Sequence, residues 1–289
     1  MNPWDGKTKG TVRGYQFFIF SIENIGLNFA YFFCQFVSLY FLIFSKHKRA
    51  GLLKFYRQGF KYPILKSILL SRKTFLRFGQ SLIDRIALMT KKKVHYSYDF
   101  SNEKVLKEIA SNARGGVLIS AHLGNWEIAG NLIHDRITSK INVLALDNEV
   151  QAIKQLLELK TGKPRYNIIP IKNDLSHLIL IKHALDRNEL IAIHADRTLA
   201  EGKNISLPFL KNKANFPLGP FIIAHKFKVP VTFVFALKNG AFHYSLSATD
   251  PIYSSSSAEE LASKYVKCLE EKVQLNPEQW YNFYDFYAS

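Results

Sequence analysis

The sequence predicts an α/β fold: a mixed, mainly parallel central sheet flanked by helices, behind an N-terminal helical segment suited to a membrane. Three observations predict it. Short apolar runs alternate with helical periods from residue 94 onward, the pattern of a sheet covered on both faces. The stretch before residue 46 is apolar enough to enter a bilayer. Positive charge is concentrated in residues 1–100, where 17 Lys and Arg face four acids, so most of the net charge of +16 belongs there.

The α/β part reads in order. VHYSY (94–98) predicts a short strand, and 102–112 a helix. GVLISA (116–121) predicts a buried strand, followed by a helix over 125–138 with Asn125 as its N-cap. INVLAL (141–146) is a strand, 148–161 a helix, NIIPI (167–171) a strand and 174–187 a helix. ELIAIHA (189–195) is a strand, followed by an irregular segment to about 215 and a helix over 216–227. VPVTFVFAL (229–237) and AFHYSLSA (241–248) predict a hairpin turning at Asn239-Gly240, and 257–275 a last helix.

The N-terminal part reads as two segments, 1–45 and 46–93, ahead of an α/β domain at 94–289. No charge occurs from Leu27 to Phe44. Glu23 and Asn24 sit within the longer apolar segment and would be costly in hydrocarbon. Basic residues flank it on both sides, more densely after it. A monotopic or re-entrant anchor is therefore expected over a single span, with the bulk of the protein cytoplasmic. Residues 46–93 interleave Leu, Ile and Phe with Lys and Arg at helical spacing, as in basic helices that lie on anionic bilayers. The two cysteines, Cys34 and Cys268, do not make a disulfide framework. No nucleic-acid motif occurs, and the α/β part carries too little positive charge for a nucleic-acid groove.

The chemistry is expected at His122. It follows the buried strand GVLISA, and open α/β sheets place their chemistry at the carboxyl ends of strands. Glu127 follows five residues later, early in the next helix. A carboxylate on one ring nitrogen fixes the tautomer and leaves the other nitrogen as a general base. The spacing His-x4-acid is close to chance by itself; its place in the fold gives it weight. His194 and Asp196-Arg197 fall at the end of another strand.

The string SAHLGNWEIAG resembles the late acyltransferases of lipid A synthesis and their relatives in the lysophospholipid acyltransferase superfamily. The resemblance continues through Asp196-Arg197, Pro208-Phe209-Leu210, Gly219-Pro220 and Val229-Pro230-Val231, and through PEQWYNFYDF at the end. It implies a fold like that of glycerol-3-phosphate acyltransferases. It also implies transfer of an acyl chain from an acyl carrier protein or coenzyme A thioester, as co-substrate, to a hydroxyl or amine of a lipid or glycolipid. No cofactor and no metal are implied. His122 and Glu127 would be the catalytic pair. Asn125, Asp196, Arg197 and Gly219, with backbone N–H groups after His122, would be substrate-binding or oxyanion candidates. No Ser or Cys stands at a nucleophile position, so a covalent acyl-enzyme is not expected. The implied place is the cytoplasmic face of a bacterial inner membrane, with membrane lipids, the acyl donor and a lipid acceptor as partners.

The sequence departs from the family pattern at Leu210-Lys211, where many members have Gly, and at Lys213, Asn215 and Phe216. An acceptor other than a lipid A precursor, such as an aminolipid, a glycerophospholipid or a polyene pigment, is therefore also open. Two rivals come from other classes. One is a metal hydrolase with His122, Glu127, His194 and Asp196 as ligands; the other is a basic, non-enzymatic membrane-binding module.

Overall fold

The computed structural model describes residues 12–90, 94–111, 114–133, 136–137, 139–145, 166–171, 174, 176–199 and 202–287. The helix expected over 148–161 lies outside them. Four helices come first: α1 (Val12–Asn24), α2 (Leu27–Phe44), α3 (Lys46–Gly59) and α4 (Ile64–Met89). The remainder alternates: β1 (Ser97–Ser101), α5 (Glu103–Ser111), β2 (Gly116–Ser120), α6 (Trp126–Ile133), β3 (Ile141–Ala145), β4 (Asn167–Pro170), α7 (Ser176–Asp186) and β5 (Leu190–His194). Then follow β6 (Asn204–Phe209), β7 (Asn212–Pro217), α8 (Gly219–Phe227), β8 (Val231–Lys238), β9 (His243–Ala248) and α9 (Ala258–Leu275).

Seven strands form one sheet in the order β1-β9-β8-β2-β5-β3-β4. All neighbours are parallel except β8 and β9, which form the predicted antiparallel hairpin. This is the mainly parallel architecture that the alternation predicts. The central strand β2 is buried along its whole length, as expected of a strand with helices over both faces. Its side chains divide by parity. Val117 and Ile119 join the core under α8 and α9, whereas Leu118 joins the core under α5 and α6.

Two expectations need correction. The first strand lies at Ser97–Ser101 rather than 94–98. The segment expected to be irregular up to 215 contains a separate two-stranded hairpin, β6 with β7. Its two-residue turn, Leu210-Lys211, has both φ angles positive, at 49° and 63°. Such turns favour Asn-Gly or Asp-Gly, and neither is present to signal one. Leu210 is held there by burial (3% exposed), and Asn212 Nδ2 donates to the Leu210 carbonyl at 2.7 Å.

The N-terminal helices pack on the sheet domain through shared cores: Leu42, Leu52 and Phe55 join one cluster, Tyr15, Ile19 and Ala30 the other. Helices α2 and α4 approach closely because residue 79 is glycine; a Cβ there would lie 2.5 Å from Cys34 Sγ. Where α2 and α4 meet the sheet, a polar cluster is fully buried. Asp84 on α4 is 2.6 Å from Lys238 Nζ on β8 and accepts from the hydroxyls of Tyr31, Tyr96 and Tyr244. Lys238 Nζ also donates to Tyr31 Oη at 3.0 Å.

Candidate active site

His122 stands two residues past the end of β2, in a turn that the sequence LGN makes possible. Gly124 has φ +75°, and a Cβ on it would lie 2.0 Å from the Ala236 carbonyl oxygen of β8. Only glycine fits there, because the obstacle is backbone rather than a movable side chain. The turn is tied down on both sides. Gly124 N–H donates to Gln279 O at 2.9 Å, and Asn125 N–H to Ala236 O at 2.8 Å. Asn125 then caps α6, its Oδ1 accepting from Ile128 N–H at 3.3 Å.

The ring contact of His122 falls on Asp196. Nδ1 is 2.8 Å from Asp196 Oδ1, and the backbone N–H of His122 donates to Oδ2 at 3.0 Å. Trp280 Nε1–H donates to that same Oδ2 at 3.0 Å. The carboxylate thus orients the ring and fixes its base. The C-terminal segment also holds His122 itself, since Tyr281 N–H donates to the His122 carbonyl at 3.0 Å. Arg197 Nη2 donates to the Tyr281 carbonyl at 2.8 Å. Glu127, expected against the ring, has its carboxylate 3.0 Å from Arg85 Nε on α4. Gly219 opens α8 with open space where a Cβ would stand.

Electrostatics suit a base. Burial opposes ionisation of Asp196, but the His122 ring, its hydrogen bond and the Arg197 charge together hold this carboxyl well below the usual range. An ionised Asp196 places the proton of a neutral His122 on Nδ1 and leaves the Nε2 lone pair available. Burial, then the Arg197 charge, lowers the His122 pKa against the opposing pull of Asp196. The ring is therefore neutral, and ready to accept a proton, at neutral pH.

Beside this pair lies an apolar cavity between the sheet and helices α5 and α6. Leu118, Ala129, Ile133, Val143, Val234 and Leu246 are among its walls, with Ser120, Trp126, Tyr166 and His194 as its more polar members. Gly130 also lines it; a Cβ there would meet only the Tyr166 ring, at 3.6 Å. The His194 ring lies 4.4 Å, centre to centre, from that of His122.

The structure therefore brings His122, Asp196 and Arg197 together at the ends of β2 and β5, with Asn125 in the turn. Glu127 is turned to α4. Among the described residues, no group of three or more His, Cys, Asp or Glu has the spacing to hold a metal ion. Sequence reasoning did not single out Trp280 as the partner of Asp196, or His194 as a wall of the cavity. Strand register carries the signal for His194, since it is paired with Ser120 across β2 and β5. The departures in β7 are away from the cavity: Phe216 is in the core, and Lys213 and Asn215 are exposed.

The open α/β sheet thus carries a histidine–aspartate pair at its strand ends, with an apolar cavity alongside. Residues 15–286 match the family described as bacterial lipid A biosynthesis acyltransferase, and the chain belongs to that family. No curated protein matches it.

Proposed function

We propose that this protein transfers a fatty acyl chain from an acyl carrier protein or coenzyme A thioester to a hydroxyl or amine of a membrane lipid. His122 is the general base and Asp196 is its orienting partner. The observation that carries this reading is the 2.8 Å contact of His122 Nδ1 with a buried carboxylate, next to an apolar cavity and within an acyltransferase family. In this reading Asp196 takes the role that spacing assigns to Glu127, and Glu127 holds Arg85 against the first turn of α6.

The reaction is direct. His122 Nε2 takes the acceptor proton as the acceptor oxygen or nitrogen bonds to the thioester carbonyl carbon, and the carbonyl π pair moves onto oxygen. Asp196 balances the imidazolium charge. Collapse of the tetrahedral intermediate breaks the C–S bond, and the departing thiolate receives the proton from His122. A positioned base of this kind contributes about 10²–10⁴-fold.

The acceptor is presented at a membrane face. Among the described residues, one helix, Leu27–Phe44, is long and apolar enough to cross a bilayer. Its buried positions run from Leu27 to Leu42, so it packs on the protein along its length. Its other side exposes Phe32, Phe36, Tyr40, Ile43 and Phe44, continued by Phe20 on α1 and Leu65 and Leu69 on α4. Lys46, Lys48 and Arg49 follow directly on α3. An apolar face bordered by basic residues suits monotopic seating on the anionic cytoplasmic leaflet of a bacterial inner membrane.

Mass spectrometry of lipid extracts from cells with and without the functional gene tests this reading and names the acceptor. An acylated lipid that disappears with the gene, and is formed by the purified protein from an acyl thioester, is expected. Identical lipid profiles, with no transfer in vitro from either class of thioester, would contradict it.

A further inference from the structure

The acyl-transfer reading calls for a hydrogen-bond donor to the oxyanion. Three backbone N–H groups of the turn are committed: His122 N to Asp196, Gly124 N to Gln279 O and Asn125 N to Ala236 O. Arg197 has its Nη2 on the Tyr281 carbonyl. A tetrahedral intermediate needs a donor aimed at the position the oxygen takes up.

His194 meets the requirement. It is the last residue of β5, and strand parity turns it to the same face as Ala192, so both line the apolar cavity. Its ring is 4.4 Å from that of His122 and meets the Trp126 ring edge-on at 5.3 Å. Among the described residues no group hydrogen-bonds either of its ring nitrogens. In an apolar wall, a ring nitrogen with no hydrogen-bond partner among the described residues is a group that a ligand contact can satisfy. An acyl chain lying in the cavity with its carbonyl carbon near His122 brings the carbonyl oxygen to this ring.

We propose that His194 is a catalytic residue that donates a hydrogen bond to the carbonyl oxygen of the acyl thioester and supports the oxyanion of the tetrahedral intermediate. The inference rests on the acyl-transfer reading of the same site. Protonation suits the role: burial, reinforced by the neighbouring His122, pushes the His194 pKa down to about 3. The ring therefore stays neutral, keeps one N–H to donate, and does not oppose the charging of His122 during proton transfer.

The test compares donors with ring shape at this position. Thiol release from lauroyl and palmitoyl thioesters of coenzyme A and of acyl carrier protein is followed with the full-length protein, for wild type, His194→Gln, His194→Phe and His122→Ala. A membrane lipid extract serves as acceptor. His194→Gln keeps an N–H donor, and His194→Phe keeps the ring without one. We expect His194→Phe to lose on the order of 100-fold in kcat, with KM for the thioester little changed. His194→Gln should stay within about tenfold of wild type. A packing role predicts the reverse order, so His194→Phe at least as active as His194→Gln overturns the inference. So does a loss confined to KM. Binding of a non-cleavable thioether analogue, measured on both variants, checks that each is folded and retains its cavity. If His122→Ala is inactive and His194→Phe fully active, only the His194 inference falls. If His122→Ala is as active as wild type while His194→Gln still exceeds His194→Phe, the base assignment falls and the donor role stands. A wild type that releases no thiol from any of the thioesters overturns both.

Discussion

Two buried aspartates, Asp84 and Asp196, are held in opposite ways. Both are at most 1% exposed, and both are surrounded by aromatic side chains. Asp84 faces a lysine and three tyrosines, and its cluster is closed: donors and acceptors satisfy one another between α2, α4, β8, β9 and Tyr96 just ahead of β1. Asp196 faces a histidine ring, a backbone N–H and an indole N–H. Its cluster ends at the His122 ring, beside His194 on a cavity wall. A closed polar network fixes geometry, whereas one with an open end can also exchange a proton with a substrate. The first joins the N-terminal helices to the sheet. The second holds the base that the proposed chemistry needs. They are linked through the turn, because Asn125 Nδ2 donates to Ser81 O on α4 and approaches Tyr244 Oη at 3.5 Å.

The largest effect should come from opening the closed cluster. Lys238→Met leaves the Asp84 carboxylate buried without its cation, which costs about 3–5 kcal/mol. Thermal unfolding should register this as a large fall in Tm. Activity per folded molecule at low temperature should change much less. A Lys238→Met protein as stable as wild type would mean that the cluster is not the joint described.

Asp196→Asn attacks the other cluster. The amide keeps the size but removes the charge that balances the imidazolium. Acyl transfer should fall by roughly 10²–10⁴-fold, while stability falls by only about 1–3 kcal/mol for the mismatched hydrogen bonds. An effect on stability alone would make Asp196 a second Asp84.

pH sharpens the comparison further. The His122 pKa is lowered in the folded protein, and the ring must be neutral to take a proton. Activity should therefore hold from neutral pH down through 6.5, the ordinary histidine value, and fail only below it. Asp196→Asn removes the negative charge that raises the His122 pKa, so this acid limb should move to still lower pH. A limb that moves upward would contradict the pairing.

The smallest effect is expected at Glu127. Its carboxylate is close to Arg85, on partly exposed side chains. Glu127→Gln should lose less than tenfold in kcat and about 1 kcal/mol of stability. A loss as deep as that of Asp196→Asn would restore Glu127 to the catalytic pair.

Much of this fold was legible in the sequence, because strand and helix periods leave local marks. GVLISA and ELIAIHA read as buried strands and are β2 and β5; the Asn239-Gly240 turn was visible as a hairpin. The β6–β7 hairpin was not visible, since Leu210 and Lys211 occupy a turn geometry that neither residue type signals. The site was legible in part. His122 stood out by its place after a buried strand and by the surrounding string. Its carboxylate partner was not legible from spacing, because residue 127 is near in sequence while residue 196 is brought near only by the pairing of β2 with β5. The same pairing sets His194 opposite Ser120. Trp280 reaches Asp196 only through the chain's return after α9, which no local period marks.

In the proposed reaction a His122 base, charged against Asp196, moves the acyl group. The most direct test is the single-turnover rate of acyl transfer by purified His122→Ala, compared with wild type at matched thermal stability and matched vesicle binding. A folded, vesicle-bound protein whose transfer rate is lower by at least about 100-fold is expected. A His122→Ala protein that transfers acyl groups at a rate near that of wild type would contradict it.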